Sequence, residues 1–277
     1  MSAHSSDVAS KPEGQAILVP QFHSSSAMVV GGTSGVGLAT ARQLALAGVP
    51  RLSLIGRNIE RGKQAREDLL TCVPGLAVHF IACDANDLVQ AQHAVAEAAR
   101  LMGAVDILIN CTADNARYRP EPLLRIAPES IAPTLLSVAL PVMQMSRLVL
   151  PLMQARRGGV ILNVASDAAK VPTPGETVLG AAMAAICVFS RTLAMEAKRY
   201  GVRVNALTPS LIEGTLTAAH VQESGFSAKL FEQVRSMASL GVCLPDDLAQ
   251  LMVFLASPAA AKLTGQVISV NSGISAG

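Results

Sequence analysis

The sequence predicts an α/β fold in which one doubly wound parallel sheet of about seven strands carries helices on both faces. Three observations indicate this class. The apolar period switches repeatedly between 2 and 3.6 along the chain. A short apolar run at 27–30 breaks into glycines and then resumes with helical spacing, as expected of a strand, a turn and a helix. The 277 residues are 51% hydrophobic and no repeat or linker divides them, so they can bury one large core.

Each predicted strand is a short apolar run, and each predicted helix fills the stretch between two such runs. The strands are expected near 27–31, 51–55, 77–82, 105–110, 158–164, 202–207 and 266–270. The helices are expected near 35–47, 59–71, 86–101, 128–156, 175–200, 226–238 and 244–256. Such sheets bind ligands outside the carboxyl ends of the strands, where the strand order reverses, so residues that follow each strand are the candidates for a site.

The first 26 residues are rich in serine, alanine and proline, and we expect a flexible tail over 1–26 before a single domain over 27–277. The one apolar run in this tail is too short for a signal-peptide core or a membrane span. The five cysteines are odd in number, widely spaced and without a CxxC pair, which favours a reducing, cytoplasmic setting. A net charge of +2, without basic runs among aromatic residues, argues against a nucleic-acid or membrane partner. The cysteines and histidines lack metal-ligand spacing, so no metal site is expected.

The glycine-rich turn after the first strand is the candidate phosphate site. Its glycines let the backbone turn tightly and approach a ligand closely, and the helix that follows points its N-terminal N–H groups at that ligand. The expected cofactor-binding residues of this turn are Gly31, Thr33, Ser34, Gly35, Val36 and Gly37. The alternative is a tight turn that binds nothing. The position directly after the first strand favours a dinucleotide-binding domain of the Rossmann type.

Two further strand ends carry polar candidates. Arg57 follows the second strand, where the adenosine ribose is normally bound, and an arginine there can pair with a 2′-phosphate. This favours NADP(H) over NAD(H), although Arg57 can also be a solvated residue at the start of a charged helix. Asp84 follows the third strand, which places a carboxylate or its backbone near the adenine.

Together these residues make the chain similar to the classical short-chain dehydrogenase/reductase family from about residue 27 to the C-terminus. The glycine turn resembles the family's TGxxxGxG, with Val30 in place of its threonine. Further matches are Asp84, Asn110, Asn163-Val164-Ala165-Ser166, Leu193-Ala194-Met195-Glu196, the stretch from Gly201 to Ala206, and Pro209. The resemblance implies a nicotinamide cofactor contacted also by Asn110, Pro209 and Ile212, and a small-molecule substrate held near Ser166. It also implies a homodimer or homotetramer, for which the apolar helices at 128–156 and 175–200 are suited.

The resemblance fails at the residues that complete the reaction. The family has a tyrosine thirteen positions after its catalytic serine and a lysine four positions later, and these places hold Leu179 and Met183. The family's helix asparagine corresponds to Val138, with Ser137 the nearest polar residue. Leu179 and Met183 are four apart on one helix face, so both are expected to point at the crevice.

Several polar residues are candidates to replace the missing acid. We predict catalytic roles for Ser166 and for Asp167, which can stabilise a cation or relay a proton, although an acid at this position also fits a capping role. The other candidates are Glu176 and the residues Asp114, Arg117, Tyr118 and Arg119 of the loop after the fourth strand. The stretch 210–238, with Phe226 and Phe231, corresponds to the family's substrate lid and suggests a hydrophobic substrate.

Three functions fit these residues. The first is an atypical NADP(H)-dependent reductase acting on an activated C=N or C=C bond, or on a carbonyl, of a small hydrophobic metabolite in a specialised biosynthetic or catabolic pathway. The second is a non-redox member that works as an isomerase, a cyclase or a nucleotide-binding regulatory subunit. The third is a scaffold in a mixed oligomer with an active paralogue. The intact phosphate turn, Arg57, Asp84 and Ser166 favour the first.

Overall fold

The computed structural model describes residues 17–112, 120–222 and 225–276, apart from the side chains of 220–222. These residues form one seven-stranded parallel sheet with helices on both faces, which confirms the predicted fold class. The strands are β1 (Ser26–Val30), β2 (Arg51–Gly56), β3 (Ala77–Ala82), β4 (Ile107–Asn110), β5 (Gly159–Val164), β6 (Val202–Pro209) and β7 (Val267–Val270). All fall within about two residues of the predicted positions.

The helices lie between the strands in the predicted order, with one addition. They are α1 (Gly35–Leu46), α2 (Ile59–Cys72), α3 (Leu88–Met102), α4 (Pro128–Arg156), α5 (Thr177–Ala197), α6 (Leu216–Gln222), α7 (Gly225–Met237) and α8 (Pro245–Ala256). The short helix α6 was not expected from the sequence. Helix α4 continues through Pro133, Pro141 and Pro151.

The sheet order is β3-β2-β1-β4-β5-β6-β7. The chain runs outward from β1 to β3 and then returns to build β4 on the other side of β1, so the order reverses between β1 and β4. At such a reversal the loops that follow the two strands diverge and leave a crevice at the carboxyl edge of the sheet.

Two apolar layers hold the sheet between its helices. On one face α3, α4 and α5 pack against β1, β4 and β5 through fully buried side chains such as Met28, Leu108 and Met145. On the other face α1, α2 and α8 bury Leu44, Leu69 and other apolar residues against the same strands. Burial of strands on both faces explains why their sequences are continuous apolar runs.

Helices α4 and α5 are unusually apolar. By length and composition alone each could cross a membrane, but they pack against each other and the sheet, and 39% and 50% of their most apolar windows are buried there. Buried core helices are often as long and as apolar as these two, so length and composition alone are weak evidence for a membrane span. The part left outside the core includes Leu136, Val188 and Met195, which are more than half exposed.

The described part of the predicted tail lies against the domain. The Leu18 N–H donates to the Arg157 carbonyl at 2.9 Å, and a short turn at Phe22–Ser24 leads into β1. A Cβ added at Gly158 would lie 2.1 Å from the Leu18 carbonyl oxygen, which shows how closely this segment approaches the end of α4. Residues 1–16, the rest of the expected tail, lie outside the described residues.

Candidate functional site

A crevice of about 790 Å³ lies at the carboxyl edge of the sheet, over the place where the strand order reverses. The loops after β1, β2 and β3 form one half of it, and the residues after β4, β5 and β6 form the other half with α4, α5 and α7. We call these the adenosine half and the substrate half. The predicted site residues that line the crevice are Gly31, Thr33, Ser34, Gly35, Val36, Gly37, Arg57, Asp84, Ser166, Pro209 and Ile212.

The glycine turn joins β1 to α1 by close backbone contacts. A Cβ at Gly31 would lie 2.3 Å from the Cys111 carbonyl oxygen, and one at Gly37 would lie 2.2 Å from the Gly31 carbonyl oxygen. Both positions therefore exclude a side chain for reasons internal to the fold. Gly35 is different, because a Cβ there meets no described protein atom closer than the Thr215 Cγ2 at 3.6 Å. The space before Gly35 is part of the crevice.

Gly35 is also the first residue of α1, so the free N–H groups of the first turn lie at this open space. The N-terminus of a twelve-residue helix carries partial positive charge, and backbone N–H groups suit phosphate oxygens. A glycine cradle without Cβ atoms, open to the crevice at a helix N-terminus, fits the pyrophosphate of a dinucleotide.

The adenosine half carries two arginines and one carboxylate. Arg57 is exposed at the end of β2 and lines the crevice. Arg61 lines it as well, and its Nε donates to the Thr33 Oγ1 at 3.3 Å. Arg61 was not among the predicted site residues; its place in the first turn of α2, two residues after the helix begins at Ile59, is the signal that could have indicated it. The Asp84 Oδ1 accepts from the Asn86 N–H at 3.0 Å, which fixes the loop after β3.

Two cysteines line the crevice as neutral thiols. Burial, with the charges of Asp84 and Asp87, raises the pKa of Cys83 to about 11. Burial raises the pKa of Cys111 to about 12. Because the thiolate is the reactive form, neither group is suited to act as a nucleophile at neutral pH.

Asn110 does not line the crevice, contrary to the expected cofactor contact. Its side chain is fully buried and its Nδ2 donates to the Asn163 Oδ1 at 2.8 Å, while the Asn163 Nδ2 donates to the Ser190 Oγ at 2.8 Å. This chain of side-chain hydrogen bonds links the ends of β4 and β5 to α5. We therefore assign Asn110 to the support beneath the crevice.

Ser166 stands at the expected place in the substrate half. It follows β5, is half-buried, and its Oγ accepts from the Ala168 N–H at 3.3 Å as the cap of a short turn at Asp167–Ala169. Leu179 and Met183 line the same crevice, as their spacing predicted. Ser137 and Val138 line it from α4, and the Ser137 hydroxyl donates to the Thr134 carbonyl within its own helix.

Asp167 points away from the crevice, which corrects the expectation of a catalytic role. The side chain is 6% exposed, and its carboxylate accepts hydrogen bonds from Ser269, Asn271 and Ser275 near the C-terminus. The Ser269 hydroxyl accepts in turn from Lys170. The carboxylate therefore anchors the turn after Ser166 to the last strand and the segment that follows it. The alternative expected from the sequence, a cap or turn acid bonded to nearby backbone, differs from this role, because the partners of Asp167 are side chains about a hundred positions later and the cap of the turn is Ser166.

Among the candidate replacement acids, Glu176 lines the crevice. Asp114, Arg117, Tyr118 and Arg119 lie outside the described residues. The lid expected at 210–238 contains α6 and α7, and Phe231 of α7 lines the crevice. A buried hydroxyl holds α7 to the loop before α4, because the Ser227 Oγ donates to the Pro120 carbonyl at 3.1 Å.

The remaining expectations concern metals and disulfides. Over 17–112, 120–222 and 225–276, no group of three histidine, cysteine, aspartate or glutamate side chains could hold a metal ion. The five cysteines, all within these ranges, are free thiols. The groups of the crevice that could hold the phosphates of a nucleotide are the glycine turn, Arg57 and Arg61.

Comparison with known proteins agrees with the fold. The family model described as enoyl-(acyl carrier protein) reductase matches residues 30–275. The chain is 32% identical over 256 residues to the 3-oxoacyl-(acyl-carrier-protein) reductase FabG of Chlamydia muridarum, covering 90% of this chain and 96% of that protein. A solved short-chain oxidoreductase of Pseudomonas aeruginosa PAO1, described as NADPH-bound and as containing an atypical catalytic center, is 29% identical with a TM-score of 0.79, over 93% of this chain and 100% of that one. L-Sorbose reductase of Gluconobacter frateurii, solved with NADPH and L-sorbose, is 26% identical with a TM-score of 0.80, over 93% and 98%. The chain belongs to the short-chain dehydrogenase/reductase family of oxidoreductases.

Proposed function

We propose that this protein is an NADP(H)-dependent reductase with a degenerate catalytic centre, acting on an activated C=N or C=C bond of a small hydrophobic molecule. The observation that carries this proposal is the substrate half of the crevice. There Ser166 faces the same space as Leu179 and Met183, which stand where the family has its tyrosine and lysine.

The adenosine half supports the choice of cofactor. The glycine turn offers N–H groups to phosphates, and Arg57 and Arg61 bring two positive charges to the rim near the end of β2. Arginine binds phosphate by charge-assisted, bidentate hydrogen bonds, whereas NAD(H) has only a neutral hydroxyl at this position. Two solved relatives described as NADPH-bound support the same choice.

When bound, NADPH supplies a hydride. The residues of the substrate half bind and orient the acceptor. Ser166 can offer its hydroxyl as a hydrogen-bond donor to a substrate heteroatom, while Leu179, Met183 and Phe231 exclude water from its apolar part. A side chain of leucine or methionine cannot transfer a proton, so a simple ketone has no proton source at the place where the family tyrosine stands. An acceptor that is already activated does not need a proton donor at the place of the family tyrosine.

The proposal is tested by binding and turnover of the purified protein. We expect NADPH to bind with a change in its fluorescence, NADH to bind more weakly, and unactivated cyclohexanone not to be reduced. Arg57→Glu should weaken NADPH binding by about tenfold, since exposure limits the strength of the phosphate contact, and should spare NADH. Arg42→Glu is the matched control, because Arg42 is an exposed arginine on α1 that does not line the crevice.

Failure to bind either nucleotide would end the redox proposal and favour the non-redox alternative. In that alternative the protein is an isomerase, a cyclase or a regulatory or scaffold subunit, and the apolar residues Leu179 and Met183 are the observation that favours it. Reduction of cyclohexanone at the rate of an ordinary family member would show that another group donates the proton.

We also propose that the protein forms a homodimer or homotetramer in the cytoplasm, through α4 and α5. Members of the family commonly oligomerise, and exposed apolar side chains such as Leu136, Val188 and Met195 lie on these two helices. Light scattering of the purified protein measures the assembly, and Val188→Asp together with Met195→Asp should dissociate it if these faces form the interface. A monomeric wild-type protein would contradict the proposal.

A further inference from the structure

A second cavity, of about 560 Å³, adjoins the crevice at the glycine turn. Ser34 and Gly35 of the turn line both cavities, so the two meet at the N-terminus of α1. The loop after β6 and the lid helices α6 and α7 line the second cavity from the other side. The lid lies close to the turn, because a Cβ at Gly35 would be 3.6 Å from the Thr215 Cγ2. The second cavity is therefore the place at which the lid approaches the phosphate site of the turn.

Three charged side chains line the second cavity in the part of the chain that the structure describes. They are Arg61 of α2, Glu213 of the loop after β6 and Arg235 of α7. Two positive charges and one negative charge leave a net positive charge. The free N–H groups of the first turn of α1 add partial positive charge at Gly35. The cavity therefore favours an anion.

Glu213 holds Arg235 at the wall of this cavity. The two side chains form an ion pair in which the Arg235 side chain is 48% exposed and the Glu213 side chain 33%. Glu213 lies in a well-anchored segment, since its N–H donates to the Cys243 carbonyl at 2.9 Å and Ile212 pairs with Cys243. A guanidinium has five N–H donors, so Arg235 can bind a carboxylate and a phosphate at the same time. An ion pair exposed to this degree contributes little to stability by itself.

On the basis of the proposed function, we propose that Arg235 is a cofactor-binding residue of the lid and binds the pyrophosphate of NADP(H) from the lid side of the glycine turn. The pyrophosphate is the group that fits the space before Gly35, and Ser34, Gly35 and Arg235 line one cavity. Arginine suits this group because its planar guanidinium matches phosphate oxygens in charge and in shape. NADP(H) and NAD(H) share the pyrophosphate, so this contact strengthens the binding of both cofactors alike. The contact of Arg57 with the 2′-phosphate strengthens NADP(H) alone.

The test compares Arg235→Gln with Arg57→Glu in their affinity for the two cofactors. NADPH and NADH are titrated into each purified variant, and the change in cofactor fluorescence measures binding. We expect Arg235→Gln to weaken both cofactors by the same factor, about tenfold, because a charge-assisted contact with a shared group is lost. Arg57→Glu should weaken NADPH and spare NADH. The NADPH affinity of Arg235→Gln should also depend less on salt concentration than that of the wild type, because one ionic contact is removed.

Glu213→Gln separates a phosphate contact from a loosened lid. Arg235→Gln and Glu213→Gln both break the ion pair, but the second variant keeps Arg235 and gives it an amide oxygen to bind. If Arg235 binds the pyrophosphate, Glu213→Gln keeps or strengthens NADPH affinity, because a negative charge near the phosphates is removed.

Lys229→Gln is the matched control for the loss of one positive charge, because Lys229 is an exposed lysine on α7 that lines neither cavity. Circular dichroism verifies the fold of each variant. Wild-type affinity of Arg235→Gln for NADPH, a loss confined to NADPH, or an equal loss in Glu213→Gln or Lys229→Gln would each overturn this inference. In all of these cases the wild type still binds NADPH and the proposed reductase stands, whereas failure of the wild type to bind either nucleotide would remove the proposed function itself.

Discussion

Two alanine substitutions in the glycine turn separate a contact with the cofactor from a contact within the fold. Gly37→Ala places a Cβ 2.2 Å from the Gly31 carbonyl oxygen and 3.2 Å from the Gly32 Cα, so the backbone of β1 or α1 has to move. Gly35→Ala places its Cβ in the crevice, 3.6 Å from the nearest described protein atom. Gly37→Ala therefore lowers the stability of the fold, and Gly35→Ala weakens binding of the cofactor.

The magnitudes follow from these distances. Overpacking of a rigid backbone contact costs about 3 kcal/mol, which for a chain of this size lowers the Tm of Gly37→Ala by about 6 to 12 °C. Gly35 has a φ of +52°, so alanine there costs about 1 kcal/mol and lowers the Tm by only about 2 to 4 °C. Its NADPH affinity should nevertheless fall at least tenfold, because the methyl group occupies the space assigned to the pyrophosphate.

Circular dichroism measures the Tm, and quenching or enhancement of NADPH fluorescence measures affinity. Gly48→Ala is the control for backbone strain, because Gly48 also has a positive φ, of +99°, and a Cβ there meets no atom within 4 Å. If Gly35→Ala bound NADPH as the wild type does, the phosphates would not lie at this turn. If Gly37→Ala kept the wild-type Tm, the steric argument would be wrong.

Three further predictions test the catalytic end, the core and the thiols. The double variant Leu179→Tyr, Met183→Lys should gain measurable reduction of cyclohexanone, because it restores a proton donor and a cation to a crevice that already holds Ser166. If this variant binds NADPH but gains no activity, the crevice differs from the family site in more than these two residues. Arg203→Met should lower the Tm by about 6 to 12 °C without changing NADPH affinity, because the guanidinium donates to the carbonyls of Leu255, Ala256 and Ser257 at the end of α8 and loss of these hydrogen bonds costs about 3 kcal/mol. Burial lowers the pKa of Arg203 to about 10, so the guanidinium is charged at neutral pH. An unchanged Tm would contradict this role. Iodoacetamide at neutral pH should alkylate the exposed Cys72 and spare Cys111, whose pKa is about 12, and peptide mass spectrometry showing equal modification would refute the neutral thiol.

Local patterns were sufficient to predict most of the fold and the fact that Ser166, Leu179 and Met183 line the crevice. The seven apolar runs correspond to the seven strands because a strand that is buried on both faces consists almost entirely of apolar residues. Helical spacing predicts that Leu179 and Met183 face the crevice, and the end of β5 predicts the position of Ser166 beside them. These inferences depend on residues that are near each other in the sequence.

The roles of Asp167 and Asn110 required the three-dimensional structure. The partners of Asp167 lie about a hundred positions later, at Ser269, Asn271 and Ser275, and no local pattern reveals a contact of that range. Asn110 ends a strand, as cofactor residues do, but its side chain turns beneath the sheet edge toward Asn163. Alternation of polar and apolar residues along a strand indicates toward which face of the sheet a side chain points. β4 has only four residues and no polar alternation, so the sequence did not indicate the direction of the Asn110 side chain.

The hydrogen-bonded chain from Asn110 through Asn163 to Ser190 has an evolutionary consequence. It fastens two strand ends to α5 from below, through side chains that do not line the cavity in which a substrate would sit. The support of the strand ends is thereby separate from the side chains that line the cavity. A substitution at a lining position such as Leu179 or Met183 leaves this support intact, which makes the scaffold permissive toward changes in the lining.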